Sequence, residues 1–249
     1  MASIQLRKMS SNGKDFRVTH KVPFKKISEF KSRTIKAVYQ FAYDMTFSGK
    51  GEHRHFRSGG THHRDNLEIF ANTFQGKLSE FAVANLFYKH KDFKAPDLSV
   101  SPLGFWEDAD LLIGENIIAV KSTKSYGNLL LLETKDWDKN GNYLSSTGRS
   151  RCYTHLILVR LKPDIEEILG GLKFEKRLEL PSKDLEFEII KQKWCYDIPG
   201  YINGEDLRQV IKLNNLIPKG ARLNNAVIMD ADNYYVQTGD MRKYETILN

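Results

Sequence analysis

Cysteine is nearly absent from the 249 residues: there are two, Cys152 and Cys195, set far apart. Such isolated thiols exclude a disulfide-built scaffold and a cysteine-based zinc module, and they fit a reducing compartment. Long apolar runs are missing as well. No stretch approaches the ~20 residues of a membrane-spanning helix, and the N-terminus lacks a charged-then-apolar export pattern. The sequence carries no internal repeat and no low-complexity linker. The expectation is a soluble, cytoplasmic protein with no membrane partner.

What is present is unevenly placed. Residues 1–64 hold fourteen Lys/Arg against four Asp/Glu, whereas the rest of the chain holds 24 against 27. A basic arm on a mildly acidic body is the electrostatic footprint of a polyanion binder, and it favours nucleic acid.

Periodicity predicts the elements. Residues 1–27 read as a basic arm or edge strand. Ser28 can cap a helix reaching to about Phe47, with Ile35, Val38, Ala42 and Met45 on one face. A second helix spans Asn66 to Lys89, broken or bent at Gly76, with Phe70, Phe74, Leu78, Phe81, Ala82 and Leu86 facing a core. A hairpin over 109–123 is followed by strands at 128–133 and 155–161. Asn203 caps a short helix whose first turn carries Glu205 and Asp206. The tail reads as extended, with strands at Val227–Met229 and Tyr234–Val236. Three parts follow: a basic arm, helix and loop over 1–65, a core over 66–165, and a C-terminal part over 166–249 that completes the core.

The hairpin carries the chemistry. Asp110 opens the short apolar run Leu111-Leu112-Ile113. Gly114-Glu115-Asn116 turns the chain, and Ile117-Ile118-Ala119-Val120 leads into Lys121-Ser122-Thr123. Phosphodiester hydrolysis needs a divalent cation on hard oxygen ligands, an activated water and a positive charge near the scissile group. Two adjacent strands deliver this when a carboxylate on one meets a carboxylate and a lysine two residues apart on the other, because alternate strand residues share a face. Asp110, Ala119 and Lys121 hold those positions, but Ala119 stands where a carboxylate is needed.

This layout resembles the PD-(D/E)xK nuclease family, whose motif is an Asp, a short hairpin and then (Asp/Glu)-x-Lys. The ending Val120-Lys121-Ser122-Thr123 strengthens the match, as does Gly76-Lys-Leu-Ser-Glu80 on the preceding helix, since that family often carries a helix glutamate near its metal. The resemblance covers roughly residues 66–160. It implies an α/β (α+β) fold with a restriction-endonuclease-like core, a central mixed sheet flanked by helices, and a C-terminal appendage. It also implies Mg2+ and cleavage of nucleic acid. In that setting Asp110, position 119, Val120 and Glu80 form the metal shell, and Lys121 orients or deprotonates the attacking water. Asp108 competes with Asp110, which gives the tighter hairpin register. Three readings of Ala119 stand open: an inactivating alanine in place of Glu or Asp, a carboxylate shifted to Glu80 or Glu133, or a degenerate site in a DNA binder. The first is favoured because the rest of the motif is intact.

DNA contacts are expected from the loop Arg54, Arg57, Ser58, Gly59, Gly60, Thr61 and Arg64, where glycines admit the phosphate backbone and arginines bind it, and from Lys124. His53, His55, His62 and His63 in the same loop lack a structural zinc spacing. Arg222, Asn224, Asn225, Tyr234, Tyr235 and Gln237 read either as a base-reading surface or as an ordinary β-appendage. Trp106, Trp137 and Trp194 read as core residues. Together these features point to a sequence-specific cutter of double-stranded DNA, of the type II restriction kind, acting as a homodimer on a palindromic site. Its rivals are a structure-specific repair or junction nuclease and a DNA-binding module without activity.

Overall fold

The computed structural model describes residues 3–48, 65–100, 109–144, 150–171 and 183–247. In chain order the strands are β1 (Ser10–Asn12), β2 (Asp15–Arg17), β3 (Ser28–Glu29), β4 (Leu111–Ile113), β5 (Asn116–Lys124), β6 (Leu129–Glu133), β7 (Tyr143–Leu144), β8 (Ser150–Arg151), β9 (His155–Lys162), β10 (Cys195–Asn203), β11 (Leu216–Ile217), β12 (Arg222–Leu223), β13 (Val227–Ile228) and β14 (Asn233–Gln237). Helices α1 (Ser32–Phe47) and α2 (Asn66–Ala84) lie in the N-terminal half, and further helices cover Ile165–Gly171, Lys183–Ile190 and Gly204–Lys212.

The chain is a mixed α/β protein whose central sheet has the order β3-β10-β9-β5-β4. β4 and β5 form the expected antiparallel hairpin, and Gly114 takes the positive φ of 59° at its turn, a conformation that glycine adopts without a Cβ penalty. β5 then runs parallel to β9, while β9–β10 and β10–β3 are antiparallel. A second sheet, β11-β14-β6, and a small one, β1-β2-β12-β13, complete the body with the β7-β8 pair.

Strand alternation divides the core in two. Ile118, Ile157, Val159 and Leu161 point to the face covered by α1 and α2, where Val38, Phe70, Phe74 and Leu78 are fully buried. Ala119, Leu156, Leu158 and Ile202 point the other way, onto Leu130, Leu132 and Val236 of the second sheet and onto Leu207 and Val210 of the Gly204–Lys212 helix. Each such buried Val, Leu, Ile or Phe side chain contributes about 1.5–3 kcal/mol by leaving water. Both faces of β5 are therefore covered, which is why Ile117 to Val120 reads as a nearly continuous apolar run.

Several expectations shift. α1 begins at Ser32 rather than Ser28, because Ser28 and Glu29 pair with Tyr196 and Cys195 as an edge strand. α2 passes through Gly76 without a break, starts at an Asp65 cap that accepts the Glu68 N–H, and ends at Ala84. Asn203 caps the Gly204–Lys212 helix as expected, and Asp206 of its first turn reaches back to the Asn203 N–H to close a capping box. The C-terminal part is woven in rather than appended: β10 lies in the central sheet and β14 pairs along β6. Trp137 and Trp194 are buried as expected, while Trp106 lies outside the described residues.

One buried ion pair ties distant segments together. Arg160 on β9 is fully buried and donates through both Nε and a terminal nitrogen to Asp197, its cross-strand neighbour on β10. Its remaining donors reach the carbonyls of Val22 (2.7 Å) and Pro23 (3.0 Å), and Asp197 also accepts the Lys25 N–H. The basic N-terminal segment is thereby pinned to the sheet. A buried charge is tolerated only when it is paired and fully hydrogen-bonded, as it is here.

Candidate active site

The hydrophobic stripe that buries α2 fixes where its polar residues emerge. Lys77 and Glu80, three apart on one helical face, come together with Lys77 Nζ 2.7 Å from Glu80 Oε2. Both side chains are nearly buried, and the Lys77 ammonium sits 5.0 Å from the centre of the Phe41 ring on α1. Burial pushes the Glu80 carboxyl up to about 8; Lys77 pulls it back, and the carboxylates of Asp110 and Asp97 add to the rise. A helix carboxyl held among other carboxylates and one ammonium is the kind of perturbed group that marks functional sites.

Asp110 stands exposed at the head of β4, and its Oδ2 accepts the Val120 N–H at 2.6 Å. That bond orients the carboxylate across the hairpin. α2 is docked on the same strand by Gln75, whose Nε2 donates to Ser122 Oγ at 3.3 Å. Asp97 is held in its loop by the N–H and hydroxyl of Ser99, whose hydrogen bonds lower its carboxyl below the ordinary value.

The expected residues divide. Glu80 and Asp110 come within electrostatic reach of each other, and Val120 contributes its N–H to Asp110. Ala119 and Lys121 belong to the opposite face of β5. Ala119 is 3% exposed and lies in one apolar cluster with Ala109, Leu130, Leu156 and Leu158. Lys121 shares its side by strand alternation and pairs in register with Leu158. Lys124 is taken up by Glu166 (2.6 Å) and Asp164 (3.0 Å) rather than presented openly to a phosphate. Glu133, the other possible carboxylate, sits at the end of β6 in the second sheet. Arg54, Arg57, Ser58, Gly59, Gly60, Thr61 and Arg64, the four histidines of that loop, and Asp108 lie outside the described residues.

The possible base-reading surface has other duties. Gln237 is fully buried, accepts the N–H groups of Thr19 and His20, and donates to the Arg7 carbonyl. Tyr235 is buried and its hydroxyl accepts the Met9 N–H, while Asn224 accepts the Val18 N–H. These side chains stitch the N-terminal arm to the body.

Sequence reasoning missed Lys77 and Asp97. Lys77 lies three residues before Glu80, which puts the two on one helical face, but its burial shows only once α1 is in place. Asp97 follows a proline, as the name of the motif asks, but no strand pattern surrounds it.

Glu80 and Asp110 are hard oxygen donors, and a pair of carboxylates is what Mg2+ takes from a protein, with water and substrate phosphate filling its other positions. The repulsion between a buried Glu80 and a nearby Asp110 carboxylate is what a divalent cation would relieve, so these residues fit the ion. Among the described residues no group of three or more His, Cys, Asp or Glu side chains gathers to hold a metal. Comparison with protein-family models, with curated proteins and with solved structures returns no match. No described helix is long and apolar enough to cross a membrane.

Proposed function

We propose that the chain is a Mg2+-dependent deoxyribonuclease with a restriction-endonuclease-like core, its site built from Glu80, Asp110 and Lys77. The observation that supports this most is a nearly buried helix glutamate, ion-paired to Lys77 and within electrostatic reach of the aspartate that opens the hairpin. Glu80 and Asp110 would hold the ion, which would supply Lewis-acid activation and an activated water. Asp110 is kept in position by the Val120 N–H, and Lys77 holds the Glu80 carboxyl and supplies the local positive charge. In this reading the missing second carboxylate is accounted for by Glu80 rather than by a replaced residue at 119. Recognition of a fixed sequence in double-stranded DNA by a homodimer is the finer form of the same proposal, resting on the basic N-terminal residues.

The test is incubation of the protein with supercoiled plasmid and Mg2+. Nicking or linearisation that vanishes in Asp110→Asn and in Glu80→Gln supports the reading; uncut plasmid in the wild type refutes it. Discrete ends sharing one sequence would establish the restriction form. A second reading, a DNA-binding module that does not cut, is favoured by the apolar surroundings of Ala119 and by the placement of Lys121 away from α2. It predicts tight, salt-dependent DNA binding with no cleavage under any metal.

A further inference from the structure

β4 is the outer strand of the central sheet, and the loop that follows α2 comes to the β4–β5 turn, where His90 and Asp92 side chains would lie 3.5 Å from a Cβ on Gly114. Between them lies an open cleft of about 590 Å³ lined by Lys91, Asp92, Phe93, Lys94, Leu112 and Gly114. The loop is basic and aromatic together: Tyr88, Lys89, His90, Lys91 and Lys94 are all exposed, and Lys89 Nζ lies 5.4 Å from the Tyr88 ring centre. Asp92 is the acid of this stretch, and it sits 3.9 Å from His90 Nδ1. Lys91 and Lys94 have no hydrogen bond or ion pair among the described residues. Leu112, which lines the cleft, is 47% exposed, and Tyr88 on the same loop is exposed as well.

Leu112 is two residues along β4 from Asp110, about 7 Å at the rise of a strand. The cleft therefore lies one or two nucleotides from the candidate carboxylates on the scale of a nucleic-acid backbone. Free ammonium groups match phosphates. The neighbouring apolar and aromatic surface has no counterpart on the outside of a duplex, which presents phosphate and sugar, but it suits the faces of unpaired bases.

We propose that this cleft holds an unpaired stretch of nucleic-acid strand beside the active site, its phosphates on Lys91 and Lys94 and its bases against Leu112 and Phe93. The inference rests on the nuclease reading only in naming what that site takes, and it favours a substrate that is frayed or single-stranded next to the cut.

Binding in EDTA separates it from catalysis. Fluorescence anisotropy with a short labelled oligothymidylate and with a duplex of equal length should give tighter binding of the single strand by the wild type. The exposed double change Lys91→Glu/Lys94→Glu should weaken single-strand binding at least about tenfold and reduce the log–log salt slope by about 1.4, two phosphate contacts' worth. Phe93→Ala and Leu112→Ser should each cost about fivefold or more on the single strand and leave the duplex unchanged. A wild type that prefers duplex, or variants that bind the single strand normally, would overturn the proposal. Single-strand binding that maps to the cleft in a protein that never cuts plasmid would refute the nuclease reading alone. Plasmid cleavage with normal binding and cutting by the cleft variants would refute the cleft alone.

Discussion

The two faces of β5 make opposite use of the same short sequence. On one face Ile118, Val120 and Ser122 meet α2, and with them come Glu80 and Lys77, with Asp110 in electrostatic reach from the head of β4. On the other face Ala119 enters an apolar cluster with Leu130, Leu156 and Leu158, and Lys121 continues its side. The motif read along the strand thus places its alanine and lysine on one side while the charged helix residues gather on the other. Spacing along a strand says which residues share a face, and the packing of the whole sheet decides which face carries chemistry.

The largest effect that would break this comparison comes from Ala119→Glu. A carboxylate placed in the apolar cluster should cost about 3 kcal/mol or more in urea unfolding and restore no Mg2+-dependent cleavage. A stable variant that gains activity would return the site to the face of Ala119. Next come the two lysines. Lys77→Met should reduce plasmid cleavage about 100-fold, with Lys77→Arg recovering part of it, whereas Lys121→Met should stay within a few-fold of wild type. The opposite ranking would reinstate Lys121.

A smaller effect concerns pH. The Glu80 carboxyl is raised to about 8 in the folded protein, mainly by burial. Between the ordinary carboxylate value and that point the native state binds a proton that the unfolded chain has released, so stability falls as pH rises through this window and levels off above it. Glu80→Gln should flatten that slope, removing a loss on the order of 1–3 kcal/mol between pH 5 and pH 8 in metal-free buffer. Identical slopes in the two proteins would mean that Glu80 ionises normally. The smallest effect sharpens the helix that carries the site. A Cβ at Gly76 would meet no neighbouring atom within 4 Å, so Gly76→Ala should stabilise the protein by about 0.5–1 kcal/mol with unchanged cleavage.

Much of this was legible locally. The hairpin followed from two short apolar runs around Gly114, α2 from its aromatic spacing, and the capping box from Asn203 and Asp206. What stayed hidden depends on contacts between residues far apart in sequence. Ser28 has the chemistry of a helix cap, and only its pairing with Tyr196 turns it into a strand residue. Gln237 and Tyr235 look like surface polar groups until the N-terminal arm is laid over them. Glu80 was singled out through the resemblance to a family with a helix glutamate near its metal, and the structure places it nearly buried on α2. Lys77 was not, because a lysine on a helix is ordinarily solvated, and its burial against Phe41 requires knowing where α1 packs.

The Arg160 node has a consequence for how the molecule assembles. Its partners come from residues 22 and 23 and from Asp197, so the contacts it needs span most of the chain. A chain emerging in order has its basic arm and its β9 arginine long before the carboxylate that neutralises it. Until β10 is complete, Arg160 can enter the sheet only as an uncompensated charge, which holds the arm undocked and defers closure of the body. Docking of Val22 and Pro23 on Arg160 therefore depends on β10 as well as on β9, so the segment the sequence presents first is held by a residue supplied late in the chain.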